Sequence, residues 1–207
     1  MNAQIWDKRY QTSDIPWENG LPHPEVQRLF SQYVPVSSKI LEIGCGLGTN
    51  AQWLAQAGHI VTAMDIAPYA IQQALENTKK NNLAIDFTTG DFLKDWQRFG
   101  THAVVFDCAV FQVIKGFDAR QDFVKKVSEC CMEKGYWINI SCSVDEANEI
   151  THLTSVKTPP ALSARDIVIS VEPFFEIVEM KRCNFKIDRG EQGSAIFNAW
   201  ASIFKKR

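Results

Sequence analysis

No two of the six cysteines form a Cys-x-x-Cys pair, and none alternates with the four histidines at zinc-ligand spacing. A metal centre is therefore not expected. The thiols stand instead in apolar stretches such as Phe106-Asp107-Cys108-Ala109-Val110, the usual setting of buried, reduced cysteine. An excess of one charge is also lacking: the formal net charge of -2 provides no long-range pull toward nucleic acid or an anionic membrane. The short basic runs Lys79-Lys80, Lys125-Lys126 and Lys205-Lys206-Arg207 read as solvated faces. Met1-Asn2-Ala3-Gln4-Ile5-Trp6-Asp7 has no signal-peptide apolar core, and no segment is long and apolar enough to span a bilayer. A reducing cytoplasm is the expected location. There is no internal repeat, low-complexity tract or linker. With 207 residues, 45% of them hydrophobic, one core suffices. The expectation is a single domain, with residues 1–36 as an N-terminal cap segment and first helix and 37–207 as the core, in a monomer or homodimer.

What is present alternates between two periods. After Pro22-His23-Pro24, Val26, Leu29, Phe30 and Tyr33 share one helical face, and Pro35 ends the helix. Lys39-Ile40-Leu41-Glu42-Ile43 is a short apolar strand, followed by glycines and a helix through Ala51, Leu54 and Ala55 to Gly58. The unit repeats as strand Ile60 to Met64, helix Pro68 to Lys80 and strand Ala84 to Thr88. Ala103 to Val110 is nearly all apolar, as a parallel strand covered on both faces should be. Phe123, Val127, Cys130 and Cys131 mark a helix, Gly135 to Ser141 a fifth strand, and Ser163 caps a helix to about Val171. Phe175 to Ile187 and Ala195 to Phe204 are strand-like runs joined by a link too short for a crossover helix, hence an antiparallel hairpin. The fold class is α/β: a doubly wound, mixed sheet with an antiparallel C-terminal edge strand. The irregular stretch Ser143 to Leu162 follows the fifth strand, at the carboxyl end where open sheets bind ligands.

Glu42-Ile43-Gly44-Cys45-Gly46-Leu47-Gly48 leaves the first strand as Gly-x-Gly-x-Gly. A dinucleotide fingerprint needs glycine at the sixth position, where Thr49 stands. Three alternating glycines with no packing return of their own point to a ligand against the backbone rather than a plain turn. Asp65 closes the second strand about twenty residues on, where a carboxylate accepts from both ribose hydroxyls; the plainer reading is a turn or helix cap before Pro68. Asp91, after Gly90, is placed to accept from an adenine amine with Phe92 against the ring, or else to serve as ordinary cap chemistry.

Together these residues resemble the class I S-adenosylmethionine-dependent methyltransferases, whose first motif is similar to Leu41 to Gly48. The resemblance covers residues 39 to 143 in motifs and implies a seven-stranded sheet with an antiparallel last strand. It assigns the ribose to Asp65 with Ile66, the adenine to Asp91 and Phe92, and the methionine end to Glu42, Gly44, Cys45, Gly46 and Gly48, and to Asp107-Cys108 after the fourth strand. That strand opens with His102-Ala103, where many members have Phe-Asp, which leaves the role of Asp107 open. Trp6-Asp7-Lys8-Arg9-Tyr10 and Pro16-Trp17-Glu18-Asn19-Gly20 resemble the opening of the thiopurine, thiol, halide and tellurite methyltransferase group. The resemblance implies a segment folded over the cofactor, with Trp17 near the donor end. The same aromatics also read as a plain cap on the core.

The resemblance implies S-adenosyl-L-methionine as cofactor and in-line methyl transfer to a small-molecule acceptor, a reaction needing alignment and exclusion of water. Trp6, Tyr10, Trp17, Phe111 and His152 are the candidate acceptor pocket. No histidine stands out as a base, which suits a soft anionic acceptor better than an alcohol or amine. Two alternatives stay open: a nicotinamide-dependent oxidoreductase and a non-catalytic S-adenosylmethionine-binding module.

Overall fold

The computed structural model describes residues 2–145, 149–151, 159–188 and 193–207. The chain opens with helix α1 (Ala3–Gln11), capped by Asn2, whose side chain accepts from the Gln4 amide. This helix was not anticipated from the sequence. Helix α2 (Pro24–Tyr33) starts at a proline in its first turn and buries Val26, Leu29 and Phe30. Then follow β1 (Lys39–Ile43), α3 (Thr49–Gln56), β2 (Ile60–Asp65), α4 (Pro68–Lys79), β3 (Ile85–Thr89), the single turn α5 (Phe92–Asp95) and β4 (His102–Cys108). Helix α6 (Phe117–Cys130) runs directly into β5 (Cys131–Cys142), so Cys131 begins a strand rather than ending a helix. After the short β6 (Glu149–Thr151) come α7 (Ala164–Val171), β7 (Phe175–Asp188) and β8 (Ser194–Lys206).

The strands form one sheet. Strands β1 to β5 are parallel in the order β3-β2-β1-β4-β5. Strand β8 runs antiparallel to β5 along Tyr136–Cys142 and to β7 along its whole length. Strand β6 pairs with β8 at Ser194–Ile196, beyond the stretch that β5 occupies, so it prolongs β5 and the sheet counts as seven strands. The doubly wound mixed sheet and its antiparallel last strand are as expected. One detail is corrected: the C-terminal strand is not at the edge. It inserts between β5 and β7, and β7 takes the edge. The physical reason lies in β8 itself, where Ala195, Phe197, Ala199, Ala201, Ile203 and Phe204 are all buried, as in a strand covered on both faces.

Alternation of residues along the strands sends Ile40, Val104, Phe106, Ile138 and Ile140 to the face packed by α2, α3 and α4, and Leu41, Val105 and Trp137 to the face packed by α5, α6 and α7. Both neighbours of β1 are sheet strands, yet successive strands lead from it in opposite directions, so its carboxyl end is the switch point at which such sheets bind ligands.

Candidate functional site

Three turns meet at that end. The loop after β1 places Gly44, Gly46 and Gly48 at positive φ, a backbone that a side chain would strain. Each glycine also makes a close approach: a Cβ on Gly44 would collide with Val110, one on Gly46 would lie 2.9 Å from the Tyr10 hydroxyl, and one on Gly48 would lie 3.0 Å from Phe87 and 3.1 Å from Ala74. The expectation that these glycines have no packing return is therefore corrected. Two of them let core elements approach, and Gly46 alone opens toward the covering segment. Cys45 is buried, and burial pushes its thiol well above its ordinary range.

Asp65 faces this loop. One carboxylate oxygen accepts from the Gly46 amide and the other from the Ala67 amide, both at 2.9 Å. It thus joins the glycine loop to the start of α4, with acceptor capacity remaining on the carboxylate. Burial raises its pKa, and backbone donors at Ala67, Gly46 and Ile66 pull the other way. Ile66 beside it is half-buried. Glu42, one turn below the loop, is entirely buried, and its Oε2 has no hydrogen-bond partner. Loss of solvation drives it up to about 8; a hydrogen bond from the Asn50 side chain opposes that rise, and the negative Asp65, Glu18 and Asp107 add to it. Asp91 caps α5 through the Leu93 amide at 3.2 Å and lies 3.9 Å from the Lys94 ammonium.

Residues 3–20 cover the loop. Tyr10 is buried over Gly46, with Trp17 edge-on to it at 6.3 Å and Trp6 edge-on to Trp17 at 5.9 Å. The Arg9 guanidinium lies 4.3 Å from the Trp17 ring centre. Burial, and after it the negative Asp65, raise the Tyr10 phenol well above its usual range. Trp6, Tyr10 and Trp17 are thus brought together beside the glycine loop.

Three expected site residues are placed elsewhere. Phe92 is buried on the far face, edge-on to Phe123 at 5.4 Å, so it is core rather than a platform for adenine. Phe111 is fully enclosed between Phe123 and Trp137, at 5.6 and 5.2 Å, and belongs to the same core. Asp107 turns inward. Its carboxylate accepts from the Val110 and Phe111 amides at 3.2 and 2.9 Å, from Trp137 Nε1 at 2.9 Å and from Asn139 Nδ2 at 3.0 and 3.1 Å. Those donors leave it a positioning role for the loop after β4. Cys108, next to it in sequence, is half-buried. His152 lies outside the described residues.

Sequence reasoning missed the polar string behind Asp107. Asn139 accepts from the Ser141 hydroxyl at 2.9 Å, and Gln112 accepts from the Cys142 amide at 2.6 Å. The signal was available in β5, where Asn139 and Ser141 interrupt an apolar run with period two. It also missed His23, which caps α2 through Nδ1 and donates from Nε2 to the Asn184 carbonyl at 3.1 Å. With both nitrogens engaged, His23 is neutral, and burial lowers its pKa.

The family model described as thiopurine S-methyltransferase matches residues 1–152. Among curated relatives, the 2-heptyl-1-hydroxyquinolin-4(1H)-one methyltransferase of Mycobacteroides abscessus is 32% identical over 97 residues, 46% of this chain and 42% of that protein. The probable thiol methyltransferase 2 of Arabidopsis thaliana is 22% identical over 143 residues, 68% of this chain and 62% of that protein. The chain thus spans less than two thirds of the length of either relative. Among solved structures, one concerned with conversion of a disulfide bond into a thioacetal group during echinomycin biosynthesis superposes with a TM-score of 0.85 at 20% identity, covering 99% of this chain and 92% of that one. TehB from Haemophilus influenzae superposes with a TM-score of 0.72 at 17% identity, covering 99% and 67%. These structures share the fold. The family match takes in the covering segment, the glycine loop and the first five strands, and it sets aside the nicotinamide alternative: the chain belongs to the thiopurine S-methyltransferase family.

Proposed function

We propose that this chain binds S-adenosylmethionine on the glycine loop and methylates a small, soft nucleophile such as a thiol or a halide, working as a single domain in a reducing compartment. The observation that carries the cofactor reading is Glu42, a fully buried carboxyl whose Oε2 has no hydrogen-bond partner, beneath a Gly-x-Gly-x-Gly loop at the switch point. A cationic ligand with an ammonium group meets that need. When bound, S-adenosylmethionine supplies a methyl group activated by a sulfonium. Asp65 accepts the ribose hydroxyls on its remaining lone pairs, Asp91 faces the adenine, and Gly46 and Ile66 supply close backbone and apolar contact. Cys108, Trp6, Tyr10 and Trp17 shield the donor end from water.

The acceptor class follows from what the site does not offer. Among the described residues His23 is committed at both nitrogens, while His59 and His102 stand at the amino ends of β2 and β4, away from the loop. The Asp107 carboxylate is spent on its own loop. Burial holds Cys45, Cys108 and the Tyr10 phenol in their protonated forms. An acceptor that arrives as an anion needs no base. The names of the probable thiol methyltransferase and of the thiocyanate methyltransferase 1 of Brassica oleracea fit that class. Six unpaired cysteines support the reducing compartment.

Calorimetric titration tests the reading. S-adenosylmethionine and S-adenosylhomocysteine should bind at micromolar concentration and Asp65→Ala should weaken both at least about tenfold, with turnover on thiols or iodide and none on amines. Absence of binding by the wild-type protein overturns the cofactor assignment; turnover on amines alone overturns the acceptor class.

A further inference from the structure

Alternation along β1 puts Glu42 on the same face as Ile40, beside Ala63 on β2 and Phe106 on β4. Neither neighbour carries a side-chain donor. A donor reaches the carboxyl from α3: Asn50, in the first turn of that helix, hydrogen-bonds it with its side chain. The oxygen of the same carboxamide accepts from the backbone amide of His23, the N-cap residue of α2, at 3.2 Å. Asn50 is thus anchored at its acceptor end, and its donor end is turned to Glu42. Oε2 is left with no partner.

The other groups around Glu42 supply no counter-ion. They are Asp65 at the end of β2, Asp107 on β4, Glu18 of the covering segment and the thiols of Cys45 and Cys108. All are acids. A carboxyl sealed from water among acids, with one oxygen bare, avoids an uncompensated buried charge by keeping its proton. We propose that the free protein holds Glu42 as a neutral carboxyl, steered by Asn50, and that the cofactor's ammonium enters in exchange for that proton. The inference rests on the cofactor reading and adds to it a proton stoichiometry and a positioning residue. The exchange conserves charge: the O–H bond of Glu42 breaks, the proton leaves to solvent, and the carboxylate gains a cationic donor on Oε2 while it keeps the Asn50 amide. Neither state buries an unpaired charge. Asn50 acts through Glu42, because its hydrogen bond favours the carboxylate and so lowers the cost of giving up the proton.

Calorimetry on the full-length protein, with two ligands, tests the exchange. S-adenosylhomocysteine carries the ammonium, whereas 5′-methylthioadenosine has the same nucleoside and thioether without it. Titration at pH 7 in buffers of different ionisation enthalpy counts protons: wild type should release about one on binding S-adenosylhomocysteine and none on binding methylthioadenosine. Between pH 6 and 7.5 the affinity for S-adenosylhomocysteine should rise about tenfold per pH unit, and in Glu42→Gln it should be level with no proton released. Asn50→Leu, which takes the donor away, should weaken S-adenosylhomocysteine about tenfold at pH 7 and leave methylthioadenosine unchanged, a split that general damage to the fold does not produce. Should Glu42→Gln fail to fold, the wild-type proton counts with the two ligands decide the matter alone. S-adenosylhomocysteine that binds without releasing a proton overturns the exchange and leaves the cofactor reading standing, and an equal loss of both ligands in Asn50→Leu overturns the positioning role. Failure of the wild-type protein to bind S-adenosylhomocysteine overturns the cofactor reading and the exchange with it.

Discussion

Two buried carboxyls a few ångströms below the same loops meet opposite fates. Asp107 gathers two backbone amides, an indole and a side-chain amide, and these donors limit the rise that burial imposes, leaving it at about 6. Glu42 has no donor on Oε2, so desolvation carries it to about 8. The folded protein therefore keeps the Glu42 proton between the ordinary carboxyl value of 4.5 and about 8, whereas the unfolded chain releases it. Stability from this group is complete below 4.5 and is lost as pH rises through that window. Glu42→Gln removes the titration. Its denaturation midpoint in urea should gain on the wild type between pH 5 and 8.5; midpoints that run parallel across that range would contradict the assignment. The acidity of Glu42 is legible in the sequence, but its missing partner is not, because partners arrive from α3 and the covering segment.

At the scale of elements, Asp107 is a bolt. It ties the chain leaving β4 to the side chains of β5 and holds the turn that carries Val110 against Gly44. Removing it leaves two backbone amides, an indole N–H and a carboxamide without their acceptor, and a buried donor left unsatisfied costs about 1–3 kcal/mol. Asp107→Ala should show that loss in chemical denaturation, with Asp107→Asn recovering part of it; a loss under about 1 kcal/mol would mean that water replaces the carboxylate. The helices and parallel strands were readable because period and punctuation agree. The β7–β8 hairpin was readable from its short link, but the place of β8 was not. A strand covered on both faces and one covered on one face differ in this chain only by a neighbour, and β7 reaches that neighbour through pairings set by the whole sheet. Helix α1 escaped notice because its single buried residue, Tyr10, leaves no helical stripe to detect.

For the whole molecule, the two ends of the sheet behave differently. The carboxyl end collects acids and the covering segment. The amino end buries His59 and His102, each with an Nδ1 that has no partner, and burial lowers both below 6.5, as it does His23. Their stabilising contribution is therefore present above pH 6.5 and is lost as pH falls below it, because the unfolded chain takes up protons first. Between pH 7 and 5 the wild-type midpoint should fall further than that of a His59→Gln, His102→Gln double variant, and equal slopes would show that neither ring stays neutral in the fold. No helix among the described residues is long and apolar enough to cross a membrane. The sequence by itself determined the alternation of strands and helices, the glycine loop and the acids at the carboxyl ends of β1, β2 and β3, since each depends on residues within a turn or two of one another. Only the tertiary structure decided that Phe92 and Phe111 are core, that Asp107 is spent on its own loop, and that Asp7 and Glu18 fasten the covering segment to α4 and α3. Each of those outcomes depends on a partner from a distant element, and solvent exclusion, which decides whether a polar or aromatic group serves the core or the site, exists only once the layers have closed.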